Sequence, residues 1–99
     1  MITFVNVFTV QPESQDRAFH NISQVYTEAV KPQPGFISGQ VLKSRDGTRV
    51  TAIALWESEA DLQAMRTTPK FQAMHTPEFS AAIIANESHV YDELIQVEK

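Results

Sequence analysis

The sequence of 99 residues contains no cysteine, which excludes a disulfide-stapled scaffold, a thiolate metal or iron–sulfur site and a cysteine nucleophile. Glycine is also rare, and its three residues are isolated, so the sequence has neither a glycine-rich phosphate loop nor a Rossmann dinucleotide fingerprint. A serine nucleophile elbow is absent too. Any chemistry must therefore come from other residue types or from the substrate itself.

Positive charge is scarce, since eight scattered lysines and arginines stand against twelve acidic residues, giving a formal net charge of −4. A nucleic-acid partner is therefore not expected. No apolar run approaches the roughly 20 residues of a membrane span, and the N-terminus lacks the pattern of an export signal. We therefore expect a cytoplasmic protein without a membrane partner.

The length fits a single domain, residues 1–99, with a small hydrophobic core. A chain of this size buries only about 60–65% of the surface that its unfolded form exposes. Association with a second copy would therefore help to stabilise it.

The N-terminal part of the sequence predicts a strand followed by a long helix. Apolar residues alternate over residues 2–10, which is typical of a strand. From Pro12 to Val30, apolar residues recur at three- and four-residue spacing, which predicts an amphipathic helix of about five turns. Pro34-Gly35 then favours a turn with positive φ at the glycine.

The central part of the sequence predicts a β-hairpin. Residues 36–43 and 49–57 are β-rich, and Asp46-Gly47 between them is a strong hairpin signal. The two strands are therefore expected to pair in an antiparallel manner.

The C-terminal part predicts a broken helix and a final strand. Ser58 is a candidate N-cap for a helix that runs to Arg66. Thr-Pro pairs restart the helix at Pro69 and Pro77, because threonine suits the N-cap and proline the first helical position. The expected apolar stripe consists of Phe71, Met74, Phe79, Ala82 and Ile83. Residues 88–97 are rich in β-formers and predict the last strand.

This order of elements is the βαββαβ pattern of a ferredoxin-like α+β sandwich with an antiparallel sheet. Both helical segments then cover one face of the sheet. The opposite face stays apolar at Val5, Val7, Ile53 and Leu55, and a single chain has nothing left to cover it. We therefore predict a homodimer in which the two sheets face each other as a dimeric α+β barrel.

Asn6 is the first candidate for chemistry, because it lies on an apolar strand face between Phe4 and Phe8. Burying its amide costs about 1–3 kcal/mol unless the amide is hydrogen-bonded. A backbone group or an ordered water could satisfy it, or it could donate into a ligand pocket.

Trp56 ends the third strand on the same face as Ala52 and Ala54. Small residues beside a large aromatic leave volume between sheet and helices, where a small domain can hold a ligand. The alternative is a core tryptophan that packs under the second helix.

His75 lies between Phe71 and Phe79, at the break made by Thr76-Pro77. It could cap the helix or face solvent, or it could point inward as a proton acceptor. With three scattered histidines and no thiolate, a protein-bound metal centre is not expected.

Several segments resemble the antibiotic biosynthesis monooxygenase superfamily of dimeric α+β barrels, over about residues 2–97. The characteristic segments are Thr3-Phe4-Val5-Asn6-Val7-Phe8-Thr9-Val10, Pro34-Gly35-Phe36, Ala54-Leu55-Trp56-Glu57-Ser58-Glu59-Ala60-Asp61-Leu62 and Pro69-Lys70-Phe71-Gln72-Ala73-Met74. This superfamily includes quinone-forming oxygenases, haem-degrading enzymes and small-metabolite isomerases.

The sequence is most similar to the branch of cofactor-free oxygenases that turn an anthrone or a related aromatic polyketide into a quinone. In that branch a first-strand asparagine and the tryptophan that ends the third strand are the catalytic pair, which implies such roles for Asn6 and Trp56. A second asparagine stands four residues before that tryptophan in the branch, where this sequence has Ala52. The resemblance thus implies a small hydrophobic aromatic substrate, O2 and no cofactor.

In the implied reaction, Asn6 and Trp56 stabilise the enolate and peroxide, and His75 is the candidate general base. The pocket is expected between sheet and helices, lined by Phe4, Phe8, Ala52, Ala54, Met65, Phe71 and Phe79.

The alternative is the haem-degrading branch, which uses a first-strand asparagine, a helix tryptophan and an axial histidine. Asn6 and His75 match the first and the third, and Met65 occupies the position of the helix tryptophan. A third possibility is a non-oxygenase of the same fold, either an isomerase or a binding protein.

Overall fold

The computed structural model describes all residues from 1 to 99. Its elements, in chain order, are β1 (Ile2–Val10), a 3₁₀ turn (Pro12–Ser14), α1 (Gln15–Val25) with a π-helical continuation (Tyr26–Val30), β2 (Phe36–Lys43), β3 (Arg49–Trp56), α2 (Glu59–Arg66), α3 (Pro69–Ala73), α4 (Pro77–Ala81) and β4 (Ile83–Tyr91). The predicted order of strand, helix, hairpin, broken helix and strand is confirmed. None of the helices combines the length and the apolar character that crossing a membrane requires.

The four strands form one sheet in the order β2-β3-β1-β4, with every neighbouring pair antiparallel. This confirms the ferredoxin-like α+β fold. Burial alternates along β3, where Val50, Ala52, Ala54 and Trp56 are buried and the residues between them are partly exposed. The helices therefore cover a single face of the sheet.

The short helices begin where the sequence predicts. The side-chain oxygens of Ser58, Thr68 and Thr76 each accept a hydrogen bond from the backbone N–H three residues later. Proline occupies the start of α3 and of α4, where its missing N–H costs nothing. The second helical segment is thus three short helices.

The two predicted glycine turns are also confirmed. Gly35 has a φ of +86° and Gly47 a φ of +83°. Residues other than glycine rarely adopt this backbone conformation. A Cβ at Gly35 would also collide with the Asp61 side chain. Gly35 therefore allows α2 to pack closely against the turn before β2.

The final strand differs from the prediction, because β4 spans Ile83–Tyr91 and not residues 88–97. It pairs along nearly the full length of β1, from Val10↔Ile83 to Thr3↔Tyr91. Beyond Tyr91, β1 has almost no residues left to pair with. Ile83, which the sequence predicted on the helical stripe, therefore belongs to the sheet.

The face of the sheet away from the helices remains partly exposed. Val5, Val7, Ile53 and Leu55 lie on it, and all four are half-buried within the single chain. Several large apolar side chains elsewhere are exposed as well, namely Ile37, Leu42, Ile84, Tyr91, Leu94, Ile95 and Val97.

Candidate active site

A cavity of about 400 Å³ lies between the sheet and the helices, over β1 and the start of β4. Its size is within the range of small-molecule sites. Eleven of its sixteen lining residues are hydrophobic. The lining consists of Phe4, Asn6 and Phe8 from β1, Ile22, Val25 and Tyr26 from the first helix, Met65 and Arg66 from α2, Phe71, His75, Phe79 and Ser80 from the α3–α4 segment, and Ile83, Ile84, Ala85 and Asn86 from β4.

Two asparagines provide the polar part of the sheet side of the cavity. Asn86 lies on β4 and pairs with Phe8, which is two residues from Asn6 on β1. Its Nδ2 donates to the Oδ1 of Asn6 over 3.2 Å. The carbonyl oxygen of Asn6 is therefore engaged within the sheet, and its NH₂ group is left to donate to a ligand.

His75 lies on the opposite side, in the connection between α3 and α4. Its ring lies between those of Phe71 and Phe79, with centroid separations of 4.4 and 5.0 Å. Its Nδ1 is 2.8 Å from the carbonyl oxygen of Phe71. A carbonyl oxygen can only accept, so Nδ1 carries the proton, and the Nε2 of the neutral imidazole keeps a free lone pair.

Tyr26 and Arg66 are cavity residues that the sequence did not single out. Burial raises the pKa of Tyr26 to about 12, although the Arg66 charge lowers it, so the phenol stays protonated and cannot act as a base near neutral pH. Arg66 ends α2, and its Cζ lies 5.2 Å from the ring centroid of Phe4. The π-helical turn that starts at Tyr26 is the one local feature associated with functional sites, and periodicity alone does not reveal it.

Acidic side chains are absent from the cavity wall, and no group of three or more histidine, aspartate or glutamate side chains is arranged to hold a metal ion. The ionisable groups are limited to Tyr26, Arg66 and His75. The cavity can therefore bind a flat apolar molecule, accept a proton at one imidazole nitrogen and donate hydrogen bonds to an oxygen that becomes negative.

Most of the residues predicted for the site do meet at this cavity. Asn6 and His75 both line it, and five predicted pocket residues contribute to its apolar wall, namely Phe4, Phe8, Met65, Phe71 and Phe79. Three predicted residues, Trp56, Ala52 and Ala54, do not line it. The predicted substrate pocket is therefore shifted from β3 towards β4.

The reason for this shift is that the helices close completely over β3. Ala52, Ala54 and Trp56 are at most 1% exposed, so the small residues leave no volume there. The Trp56 ring packs edge-on against Phe36, with centroids 5.4 Å apart. Its Nε1 is the one buried side-chain polar atom without a partner. Trp56 is thus a core residue in this structure, and its catalytic role stays a prediction.

Comparison with known proteins gives the family. The sequence pattern of the antibiotic biosynthesis monooxygenase family matches residues 1–77. The chain belongs to this family. The resemblance seen in the sequence is thereby confirmed, and the matched part contains Asn6 and His75 but ends before the β4 residues of the cavity.

One relative by sequence is the tetracenomycin-F1 monooxygenase of Streptomyces glaucescens, which is 42% identical over 72 residues. The alignment covers 73% of this chain and 64% of the relative, so the chain spans less than two thirds of that protein's length.

The solved structures of similar proteins agree with the family assignment. An asparagine-to-alanine mutant of SnoaB, a cofactor-independent oxygenase from Streptomyces nogalater, superposes with a TM-score of 0.73 at 25% identity, covering 99% of this chain and 97% of the SnoaB chain. The protein PA3566 from Pseudomonas aeruginosa gives a TM-score of 0.80 at 15% identity, covering 95% and 94% of the two chains, and supports the fold alone.

Proposed function

We propose that this protein is a cofactor-independent monooxygenase that oxidises an anthrone- or quinol-like aromatic polyketide with O2. The observation that carries the proposal is the apolar cavity without acidic side chains, which both the Asn6 amide and the His75 imidazole line. The names of two relatives, a tetracenomycin-F1 monooxygenase and a cofactor-independent oxygenase, support it.

The chemistry begins with proton removal from the substrate. Nε2 of His75 accepts a proton from the methylene carbon of an anthrone. The oxygen of the resulting enolate accepts a hydrogen bond from the side-chain N–H of Asn6. The electron-rich carbon transfers an electron to O2, and the two radicals combine to a peroxide. Loss of water then converts the CH₂ group into the C=O of the quinone. The substrate supplies the electrons, so the protein need only orient it and stabilise its charge.

Asn86 prepares Asn6 for this role. By donating to the carbonyl oxygen of Asn6, it keeps the donor end of the amide turned to the cavity before the substrate binds. A donor that is fixed in advance needs no reorganisation when charge develops in the transition state. We propose Asn86 as the positioning residue for Asn6.

Oxygen uptake with dithranol, an anthrone, tests the proposed activity after subtraction of the rate without protein. We expect Asn6→Ala to lower kcat by about 100-fold, the usual effect of removing one oxyanion donor. Asn21→Ala is the matched control, because Asn21 lies on α1 away from this cavity. Uptake that does not exceed the background would instead favour a non-oxygenase of the same fold. Uptake above the background that is equal in wild type and Asn6→Ala would contradict the role of Asn6.

Haem binding is the second candidate, favoured by the free Nε2 of His75 in an apolar wall. His75 would hold the haem iron through that nitrogen, and haem would supply the oxygen chemistry. Titration with haemin separates the candidates. A stoichiometric Soret band that is lost in His75→Ala would support haem binding, and the absence of such a band would exclude it.

We also propose that the protein is a homodimer, with the outward face of the sheet as its interface. Val5, Val7, Ile53 and Leu55 form an apolar patch there that a second copy would cover. Light scattering should give twice the chain mass of 11.1 kDa, and Ile53→Glu should shift the protein towards monomer. A wild-type particle of one chain at micromolar concentration would contradict the dimer.

A further inference from the structure

Arg66 provides a fixed positive charge at the cavity that no other side chain neutralises. The structure has three ion pairs, Lys43–Asp16, Lys70–Glu28 and His89–Glu87, and Arg66 belongs to none of them. Its guanidinium also makes no hydrogen bond within the chain. All five of its N–H donors are therefore available to a ligand or to water.

The direction of the Arg66 side chain is as informative as its charge. A cation in the last turn of α2 is favoured by the helix dipole wherever the side chain points. Here the guanidinium lies over the ring of Phe4, which forms part of the cavity wall, and its charge acts on the nearby Tyr26 hydroxyl. The positive charge is thus directed over the apolar surface that an aromatic substrate would occupy.

The charge balance of the cavity is opposite to that of the chain. The whole sequence has a net charge of −4, yet the sixteen cavity residues include an arginine and no aspartate or glutamate. A bound anion would meet no opposing carboxylate on the wall, whereas a cationic ligand would meet Arg66. The cavity therefore favours an acidic ligand over a basic or neutral one of the same shape.

We propose that Arg66 forms a subsite for an acidic substituent, a carboxylate, on the aromatic substrate. The inference rests on the proposed oxygenase function and adds the substrate class. Guanidinium and carboxylate form two parallel hydrogen bonds, which fix orientation as well as affinity. Phe4 and Asn6 are two residues apart on β1, so the subsite and the reacting oxygen lie about 7 Å apart along the strand. One fused ring system can span both.

Two pairs of ring systems serve as probes. The first pair is 1,8-dihydroxyanthraquinone with either a carboxylate or a methyl group at C3, both inert, so that they measure binding alone. The second pair is the corresponding 1,8-dihydroxyanthrones, which are substrates whose oxidation is measured as oxygen uptake. We expect the wild type to bind the carboxylate quinone about tenfold more tightly than the methyl quinone, equivalent to about 1.4 kcal/mol.

The variants identify the residue responsible for the preference. Arg66→Met, which keeps the length of the side chain, should abolish the preference, while Arg66→Lys should keep a weaker part of it because a point charge remains. Arg45→Met in the exposed β2–β3 turn is the control and should leave the preference unchanged. The preference should also weaken with added salt, because Arg66 is exposed.

The outcomes separate this inference from the proposed function. Equal binding of the two quinones by wild type, or a preference that survives in Arg66→Met, would overturn the subsite even if both anthrones are oxidised. A loss of kcat on the methyl anthrone in Arg66→Met, with binding of the carboxylate quinone unchanged, would assign Arg66 to the enolate and also overturn it. An Arg66-dependent preference without oxygen uptake on either anthrone would support the subsite and contradict the oxygenase.

Discussion

The helices close over the sheet at β3, here called the closed half, and leave it open over β1 and β4, here called the open half. Over β3, Val50, Ala52, Ala54 and Trp56 are completely covered. Over β1 and β4, the same layer leaves a cavity of about 400 Å³, and every β4 residue after Ile83 is exposed. The strand β3 and the pair of strands β1 and β4 thus meet the same helical layer in opposite ways.

The difference originates in the helices. The first helical segment runs without a break from Gln15 to Val30 and packs on β2 and β3. The second is divided by Pro69 and Pro77 into helices of eight, five and five residues. The longest of them, α2, also packs on β3, whereas the two helices of five residues cannot form a continuous cover over β1 and β4. The closed half therefore supplies stability, and the open half has room for a ligand.

The largest expected effect is on stability, in the closed half. Trp56→Ala should lower the free energy of unfolding by about 3–5 kcal/mol, because it empties a fully buried site. Phe71→Ala in the open half should cost less, because Phe71 is half-buried and already borders the cavity. Urea denaturation followed by circular dichroism measures both, and equal losses would contradict the division into halves.

Trp56→Phe tests the other role of this residue. The substitution removes the unpartnered buried N–H, whose relief of about 1–3 kcal/mol offsets much of the lost packing. We therefore expect nearly unchanged stability and, since Trp56 does not line the cavity, unchanged kcat with dithranol. A tenfold or larger loss of kcat in a stable protein would instead establish the catalytic role that the family resemblance implies.

The next effect is on catalysis, in the open half. His75→Ala should lower kcat by about 100-fold, as expected for loss of a general base, with restoration of part of the rate by added imidazole. His20→Ala is the control, because His20 lies on the exposed side of α1. Equal losses in the two variants, or no response to imidazole, would argue against His75 as the base.

Asn86→Ala should have a smaller effect, about tenfold on kcat, because Asn6 keeps its own donor but loses its orientation. We expect KM and the thermal midpoint to change little. Ser88→Ala is the control. Ser88 lies on β4, like Asn86, and pairs with Asn6 on β1, but it does not line the cavity. A loss of activity that is accompanied by a clear fall in the thermal midpoint would make Asn86 a structural residue only.

The smallest effect is expected in the β2–β3 turn at low pH. Hydrogen bonds from the Thr48 hydroxyl, the Thr48 backbone N–H and the Ser44 hydroxyl lower the pKa of Asp46 from 3.8 to about 2. The ionised carboxylate therefore stabilises the fold above pH 3.8, and this contribution is lost as the pH falls towards about 2. Thermal midpoints should fall less steeply over this range in Asp46→Asn than in wild type.

Asp92→Asn provides the control for this measurement, because Asp92 follows β4 and its carboxylate makes no hydrogen bond within the chain. Identical pH profiles for wild type and Asp46→Asn would show that the turn does not contribute.

Much of the fold could be predicted from the sequence because its signals are local. Side-chain caps at Ser58, Thr68 and Thr76 and turns at two glycines depend on a few neighbouring residues, and the structure confirms them. The bounds of β4 could not be predicted in the same way, because pairing with β1 decides them and the strand-forming residues after Tyr91 have no partner.

The candidate site likewise combines features that local sequence predicts with features that only tertiary packing decides. The alternation of β1 by itself placed Asn6 with Phe4 and Phe8, and the proline breaks placed His75 at a gap between helices. Only the tertiary structure joined Asn86 to Asn6 across 80 residues, turned Arg66 over Phe4 and closed the helices over Trp56. The physical reason is that element type follows from nearest neighbours, whereas strand register and the direction of a helix end are decided by distant packing.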